Sequence, residues 1–251
     1  MWMITSASDR FIVTAFSGAA EIGLYAAAYK LPTQVSLAGG VFIEAWQLSS
    51  VNDTSVEERG KFFSSVYKSY LAIMFMGTSL LILLSKVFTV LLLDESYYES
   101  WIYVPVLAVA MVFSALSAFM GSVYFLEKRS MRSMVTATVG ALTNIVLNFA
   151  LIPTYGALGA AVATAVSYIA VYVIRAWDTG KYLKFDLCTL RVVTNTVLLA
   201  VQTVIMIAEV PYWIAWQVGI SLCVLVINGR EIVKAGIEFL NKFLKNKRKN
   251  I

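Results

Sequence analysis

Five ionisable side chains lie inside long apolar stretches of this sequence: Asp9, Arg10, Lys30, Glu44 and Lys86. Ionisable groups at membrane depth are costly, and they usually line a substrate path, bind an ion or pair with one another. A tight turn at residues 17–21 would place Arg10 roughly 10 Å and Lys30 roughly 13 Å below the outer turn, at 1.5 Å per residue. Two cations at similar depth predict a water-filled cavity that receives an anionic substrate such as a phosphate or diphosphate.

A structural role would explain the same residues without a substrate. Asp9 can form an ion pair with Arg10 or with Lys30 near the outer interface, and the sequence leaves this alternative open. Glu44 lies towards the cytoplasmic end of its apolar stretch. It can carry a coupling proton, face another lobe of the protein or contact water. Asp9 and Glu44 are therefore candidates for ion coupling or for a structural role.

Three further polar residues have simpler explanations. Lys86 lies near the acidic segment 94–99, and we predict that its long side chain reaches towards the outer interface. Asn144 and Asn148 are four residues apart and so share one helical face. We predict that they form hydrogen bonds between helices.

Eight apolar stretches must position these side chains. A bilayer core about 30 Å thick requires about 20 apolar residues per helix, and 59% of this chain is apolar. The predicted spans are residues 1–16, 22–50, 70–93, 101–125, 131–152, 157–177, 192–208 and 211–228. The sequence therefore predicts an all-α polytopic membrane bundle of about eight transmembrane helices.

The charges in the connecting segments divide between two sides. Alternate connectors carry the cations Arg59, Lys61, Lys128, Arg129, Arg132, Arg175, Lys181, Lys184 and Arg191. The intervening connectors carry Glu21, Asp94, Glu95, Glu99 and Glu209 and contain no Lys or Arg. Lys and Arg remain in the cytoplasm during membrane insertion, so we predict that both termini are cytoplasmic.

Composition argues against several other functions. The chain has no histidine, which excludes histidine-based catalysis, and its two cysteines favour neither a CxxC site nor a disulfide. It shows no nucleophile–base pair and no phosphate-binding glycine loop. We therefore predict no enzyme activity, no catalytic residue, no cofactor and no metal. The basic excess is explained by membrane lipids rather than by nucleic acid.

The spans divide the chain into three parts. Residues 1–177 would form a six-helix lobe, residues 178–228 two additional transmembrane helices, and residues 229–251 a basic amphipathic cytoplasmic tail. Small residues at 156–165 predict close helix packing. A similar stretch at 18–28 indicates that pairs of helices are repeated.

Specific residues also resemble those of a known family. The runs are Ser8-Asp9-Arg10-Phe11-Ile12-Val13, Glu21-Ile22-Gly23-Leu24-Tyr25, Tyr29-Lys30-Leu31-Pro32, Glu44-Ala45-Trp46-Gln47-Leu48-Ser49, and Asn144 to Pro153 followed by Tyr155-Gly156, Gly159-Ala160-Ala161, Ala163-Thr164 and Ser167-Tyr168. They resemble helices seven, eight, eleven and twelve of bacterial polysaccharide flippases. These flippases belong to the multidrug/oligosaccharidyl-lipid/polysaccharide superfamily and translocate O-antigen and capsule repeat units.

The resemblance implies a transporter of the bacterial inner membrane. Its substrate would be an undecaprenyl-diphosphate-linked oligosaccharide, moved by alternating access, and its cationic cavity would contain Arg10 and Lys30. The chain would be the C-terminal half, so an N-terminal lobe or a partner subunit is also implied. A multidrug or cation antiporter of the same superfamily and a membrane polysaccharide polymerase or ligase are the alternatives.

Overall fold

The computed structural model describes the backbone of residues 2–47 and 56–249 and the side chains of residues 5–44 and 57–237. Helices make up this part of the chain, and it contains no β-strand. The elements are α1 (Trp2–Gln47), α2 (Val56–Leu83), α3 (Ser85–Leu92), a 3-10 helix (Glu95–Ile102), α4 (Val104–Leu126), α5 (Ser130–Thr179), α6 (Thr189–Ile207) and α7 (Trp213–Lys249).

Two of these helices reverse direction at a glycine. α1 breaks at Gly18, where φ is 87°, and α5 breaks at Gly156, where φ is 56°. Sixteen residues of straight helix would hold Asp9 and Tyr25 about 24 Å apart, yet their side chains are hydrogen-bonded at 2.9 Å. The two arms of α1 are therefore antiparallel, as predicted.

The two arms of α5 are antiparallel for the same reason. Asn144 and Thr164 are twenty residues apart, but the Asn144 Nδ2 lies 3.2 Å from the Thr164 Oγ1. With both reversals counted, the described backbone contains eight long helical segments, in agreement with the eight predicted spans. Five of the helices, including α1 and α5, are long and apolar enough to cross a membrane. The all-helical membrane fold is confirmed.

Several boundaries differ from the predicted ones. The third span was expected at 70–93, but α2 begins at Val56, and the helix is interrupted at Leu84 before α3. Arg59 and Lys61 therefore lie within α2 rather than in a connector. The predicted tail is helical, but its backbone continues α7 without a break as far as Lys249. The side chains of its residues 238–251 lie outside those described.

Arg175 also departs from the sequence interpretation. It was assigned to a cytoplasmic connector, but it is buried within α5. Its Nη1 donates to the Ser117 carbonyl oxygen at 2.8 Å, and its Nε donates to the Thr136 Oγ1 at 2.9 Å. Arg175 therefore holds both arms of α5 and α4 together, because a buried guanidinium needs several acceptors.

The buried core surrounds α4, which packs against α5, α1 and α2. Ala157, Ala160 and Ala161 of α5 are fully buried, as expected of small residues that allow helices to approach closely. Tyr70 of α2 stacks on Phe119 of α4 with ring centroids 5.2 Å apart. This packing holds the hairpins of α1 and α5 side by side.

The last two helices join this core through polar contacts. Gln202 of α6 bonds to Ser79 of α2 at 3.0 Å and to Ser221 of α7 at 3.2 Å. At the outer end, Lys86 pairs with Glu209 and lies 4.1 Å from the ring centroid of Trp101. The ion-pair partner of Lys86 is therefore in the α6–α7 connector rather than in segment 94–99, and its reach to the outer interface stays a prediction.

Candidate functional site

One buried carboxylate gathers side chains from two hairpins. Asp9 has no exposed surface, and its Oδ2 accepts hydrogen bonds from the Tyr25 hydroxyl at 2.9 Å and the Thr164 hydroxyl at 2.8 Å. Its Oδ1 accepts from Nδ2 of Asn148 at 2.6 Å and of Asn144 at 3.2 Å. We call these five residues the Asp9 cluster. All four arms of α1 and α5 contribute to it.

The positions of the two glycines explain why these residues meet. Asp9 and Tyr25 lie nine residues before and seven residues after Gly18, and Thr164 lies eight residues after Gly156. At 1.5 Å per residue these distances place all three roughly 10–14 Å below the turns. The hairpins lie side by side, so the side chains meet at one depth.

Glu21 joins the two turns above the cluster. Its Oε1 accepts the backbone N–H of Ala157 at 2.7 Å and the Tyr103 hydroxyl at 3.4 Å. Ala157 begins the second arm of α5, immediately after Gly156, and a carboxylate at a helix N-terminus is stabilising. The contact keeps the two hairpins level with each other.

The two asparagines of the cluster also bond to each other and to Ser8. The Asn144 Oδ1 accepts from Ser8 at 2.9 Å and from the Asn148 Nδ2 at 3.2 Å. The Asn148 Oδ1 is buried without a hydrogen-bond partner among the described residues. The Asp9 carboxylate therefore faces two amide NH2 groups and two hydroxyls, all of which donate to it.

Asp9 forms no ion pair with Arg10 or Lys30, or with any other cation among the described side chains. Successive residues of a helix point about 100° apart, so Asp9 faces the core while Arg10 is exposed. The alternative in which Asp9 forms an ion pair with Arg10 or with Lys30 is therefore wrong. Asp9 is instead held by neutral donors.

Arg10 lines an open groove of about 590 Å³ along the first arm of α1, together with Ser6, Phe11 and Thr14. Lys30 does not line this groove. It is exposed on the second arm, at the start of a stripe that continues through Gln34, Leu37, Val41 and Glu44. The structure therefore exposes both cations, but it does not place them in one pocket.

Glu44 is exposed at the end of that stripe and has no ion-pair partner within residues 5–44 and 57–237. It lies on the surface of the lobe, away from the buried Asp9 cluster. The two acidic candidates therefore have different environments. Asp9 is buried among hydrogen-bond donors, and Glu44 is on the surface.

The sequence interpretation found Asn144 and Asn148 and expected interhelical hydrogen bonds, which the structure confirms. It did not connect them with Asp9, and it missed Tyr25 and Thr164. The sequence could have indicated that these residues meet through their distance from the nearest turn, since all five lie within twelve positions of Gly18 or Gly156. That distance predicts a shared site only if the two hairpins are known to be neighbours.

Comparisons with known proteins support the fold. No protein-family model matches the sequence, and no curated protein matches it significantly. Among solved structures, the chain is similar to the lipid II flippase MurJ in an inward closed conformation, with a TM-score of 0.64 and 17% sequence identity. The alignment covers 93% of this chain and 51% of that one, so the chain spans about half the length of that flippase. The chain therefore has a flippase-like, all-helical membrane fold.

Proposed function

We propose that the chain is the C-terminal half of a flippase in the bacterial inner membrane. Its substrate is an undecaprenyl-diphosphate-linked oligosaccharide repeat unit, used to build a surface polysaccharide such as O-antigen or capsule. Two findings support this proposal. The fold is similar to that of a lipid II flippase, and two exposed cations lie within apolar helices.

The exposed cations are the observation that carries the proposal. Arg10 and Lys30 are exposed on the two arms of α1, and neither forms an ion pair with a described residue. An unpaired cation facing lipid would be costly. A guanidinium and an ammonium that face a water-filled path would attract the diphosphate of a lipid-linked sugar.

A second lobe would explain the composition of the α1 surface. The stripe from Lys30 to Glu44 mixes charged, amide and apolar side chains, and all five of its members reach the surface. Such a surface is unsuited to lipid and would face a central cavity between two lobes. An N-terminal lobe or a partner subunit would supply the other wall.

The Asp9 cluster would couple an ion to this movement. A sodium ion or a proton neutralises the single carboxylate and changes the hydrogen bonds that hold four helical arms together. Sodium would bind the oxygens of Asp9 and Thr164. The side-chain amides of Asn144 and Asn148, which now donate to Asp9, would turn over to present their oxygens, because hard cations prefer oxygen ligands. Stabilisation by sodium at constant ionic strength, lost in Asp9→Asn, would favour sodium over a proton.

The test uses the protein as the cell makes it, in a strain from which its gene is deleted. We expect Arg10→Gln and Lys30→Gln to accumulate lipid-linked repeat units on the cytoplasmic leaflet and to reduce surface polysaccharide. Lys234→Gln, which removes an exposed cation of α7, is the matched control and should complement fully. Protein level in the membrane is measured for every variant, because insertion must be unaffected.

Two results would contradict the proposal. Unaltered surface polysaccharide in the deletion strain would exclude a role in its export. Full activity of the Arg10→Gln/Lys30→Gln double variant would show that the exposed cations do not bind the substrate. Sensitivity of the deletion strain to cationic drugs would favour the antiporter alternative, for which the exposed Glu44 is the appropriate charge.

A further inference from the structure

A pocket lies at the opposite end of the helices from the hairpin turns. It has a volume of about 750 Å³ and opens between the first turns of α2 and the connector 180–188. Lys61 and Ser64 line it from α2, and Lys181, Tyr182 and Lys184 line it from the connector. Its charge places it on the cytoplasmic side, and it shares no residue with the Asp9 cluster.

The acidic groups of this pocket are already neutralised. Glu57 pairs with Lys61 at 2.8 Å. Asp186 pairs with Lys68 at 2.7 Å, and this contact holds the pKa of Asp186 below its ordinary value. The Lys184 side chain has no ion pair or hydrogen bond with any residue that the structure describes. The pocket therefore contains an ammonium group that is available to an anion.

More cations border the pocket at the α4–α5 turn. The Arg129 guanidinium lies 5.6 Å from the ring centroid of Tyr182, which ties this turn to the pocket wall. Lys128 and Arg132 on the same turn are exposed and form no ion pair with described residues. The positive potential therefore extends beyond the pocket itself.

Large apolar side chains lie beside these cations. Trp177 is 74% exposed, and the Lys181 Nζ lies 4.2 Å from the centroid of its ring. Phe125 and Met131, on either side of the α4–α5 turn, are 71% and 67% exposed. Tryptophan is enriched at the membrane–water interface, so the pocket lies where headgroups meet acyl chains.

We propose that this pocket binds the headgroup of an anionic phospholipid. Lys184 is the principal phosphate contact, and Lys181, which pairs with Asp178 at 3.0 Å, contacts the phosphate with its remaining N–H groups. The acyl chains lie against Trp177 and the neighbouring apolar side chains. Basic pockets between helices on the cytoplasmic side have the chemistry that such headgroups require. The site is separate from the one proposed for the transported substrate, which involves Arg10 and Lys30.

The test measures lipid binding to the purified chain by native mass spectrometry. Phosphatidylglycerol is titrated against phosphatidylcholine, and we expect the parent protein to retain phosphatidylglycerol preferentially. Lys181→Gln/Lys184→Gln should weaken that binding by at least about fivefold, since an unpaired lysine such as Lys184 contributes about a factor of five near an anionic lipid. The contribution of Lys181 is smaller because Asp178 already pairs with it. Arg230→Gln/Lys234→Gln removes the same charge from exposed positions of α7 and should have less than about a twofold effect, because charge alone is screened with distance.

An equal effect of both double variants would overturn the proposal, because the attraction would then be general rather than local. Failure of the parent to prefer phosphatidylglycerol would overturn it as well. Inorganic phosphate is added as a competitor, and complete displacement of the lipid by phosphate would identify a soluble phosphate site instead. Circular dichroism of each variant checks folding, and the single variant Lys184→Gln, which breaks no ion pair, serves if the double variant is unstable.

Discussion

Replacement of Asp9 should destabilise the protein strongly, because four buried side chains donate hydrogen bonds to it. Asp9→Ala would leave Tyr25, Asn144, Asn148 and Thr164 without their common acceptor. A buried donor without a partner costs about 1–3 kcal/mol, so we expect the free energy of unfolding to fall by at least about 3 kcal/mol. Thermal unfolding of the purified protein in detergent measures the change.

Glu44→Ala is the control for Asp9→Ala, because it removes an exposed carboxylate that has no ion-pair partner among the described residues. Its effect should stay within about 0.5 kcal/mol, as is usual for surface substitutions. Asp9→Asn should fall between the two, because it keeps one acceptor oxygen but replaces the other with an NH2 group that would face two of the existing donors. Equal melting temperatures for Asp9→Ala and Glu44→Ala would show that the cluster does not hold the hairpins together.

The Glu21 carboxylate caps the second arm of α5, and its removal should destabilise the protein. Glu21→Ala removes the acceptor for the Ala157 N–H at 2.7 Å, and the loss of a helix cap typically costs about 1 kcal/mol. Glu21→Gln keeps a carbonyl oxygen and should cost less. Tyr103→Phe removes only the longer bond of 3.4 Å and should be nearly neutral. Melting temperatures in the order Tyr103→Phe, Glu21→Gln, Glu21→Ala, from highest to lowest, would agree with capping, and any other order would argue against it.

The two glycine reversals are the elements on which the fold depends most. Gly18 has φ 87° and ψ 177°, and Gly156 has φ 56° and ψ −140°, conformations that residues with a Cβ rarely adopt. At Gly156 a Cβ would also collide with the Glu21 carboxylate, whereas at Gly18 it meets open space. The two positions therefore separate backbone strain from collision.

We expect Gly156→Ala to destabilise the protein more than Gly18→Ala. Strain alone should cost about 1–3 kcal/mol at either site, and the collision adds to it only at Gly156. Gly219→Ala, in the regular helix α7 with open space around the new Cβ, should be neutral or slightly stabilising. Denaturant titration in detergent measures all three. Equal losses at Gly156 and Gly219 would contradict a sharp reversal in α5.

At the scale of elements, apolar run length located the helices well. Interruptions were harder to predict, because the break between α2 and α3 at Leu84 lies within an apolar run with no proline or glycine. Arg175 shows the opposite error. Its charge indicated a connector, but the acceptors that make burial possible are Ser117 and Thr136, which are distant in sequence.

The whole molecule has a predicted orientation that labelling can test. Cys188 and Cys223 are replaced by Ser, and single cysteines are then introduced at Ser96, in the acidic outer connector, and at Lys184, beside the basic pocket. The positive-inside rule predicts that a membrane-impermeant maleimide added to intact cells labels Ser96→Cys but not Lys184→Cys. Labelling of Lys184→Cys alone would reverse the orientation, and with it the assignment of the lipid pocket to the cytoplasmic leaflet.

The membrane-spanning helices and their charge asymmetry were determined by the sequence itself. Both depend on local quantities, namely the length of apolar runs and the charge of the connectors, and these need no knowledge of which helices are neighbours. The division at residues 177 and 228 and the second lobe stay predictions. The meeting of Asp9 with Asn144, Asn148 and Thr164 was decided only by the tertiary structure, because residues more than 130 positions apart share a site only when two hairpins pack at the same depth.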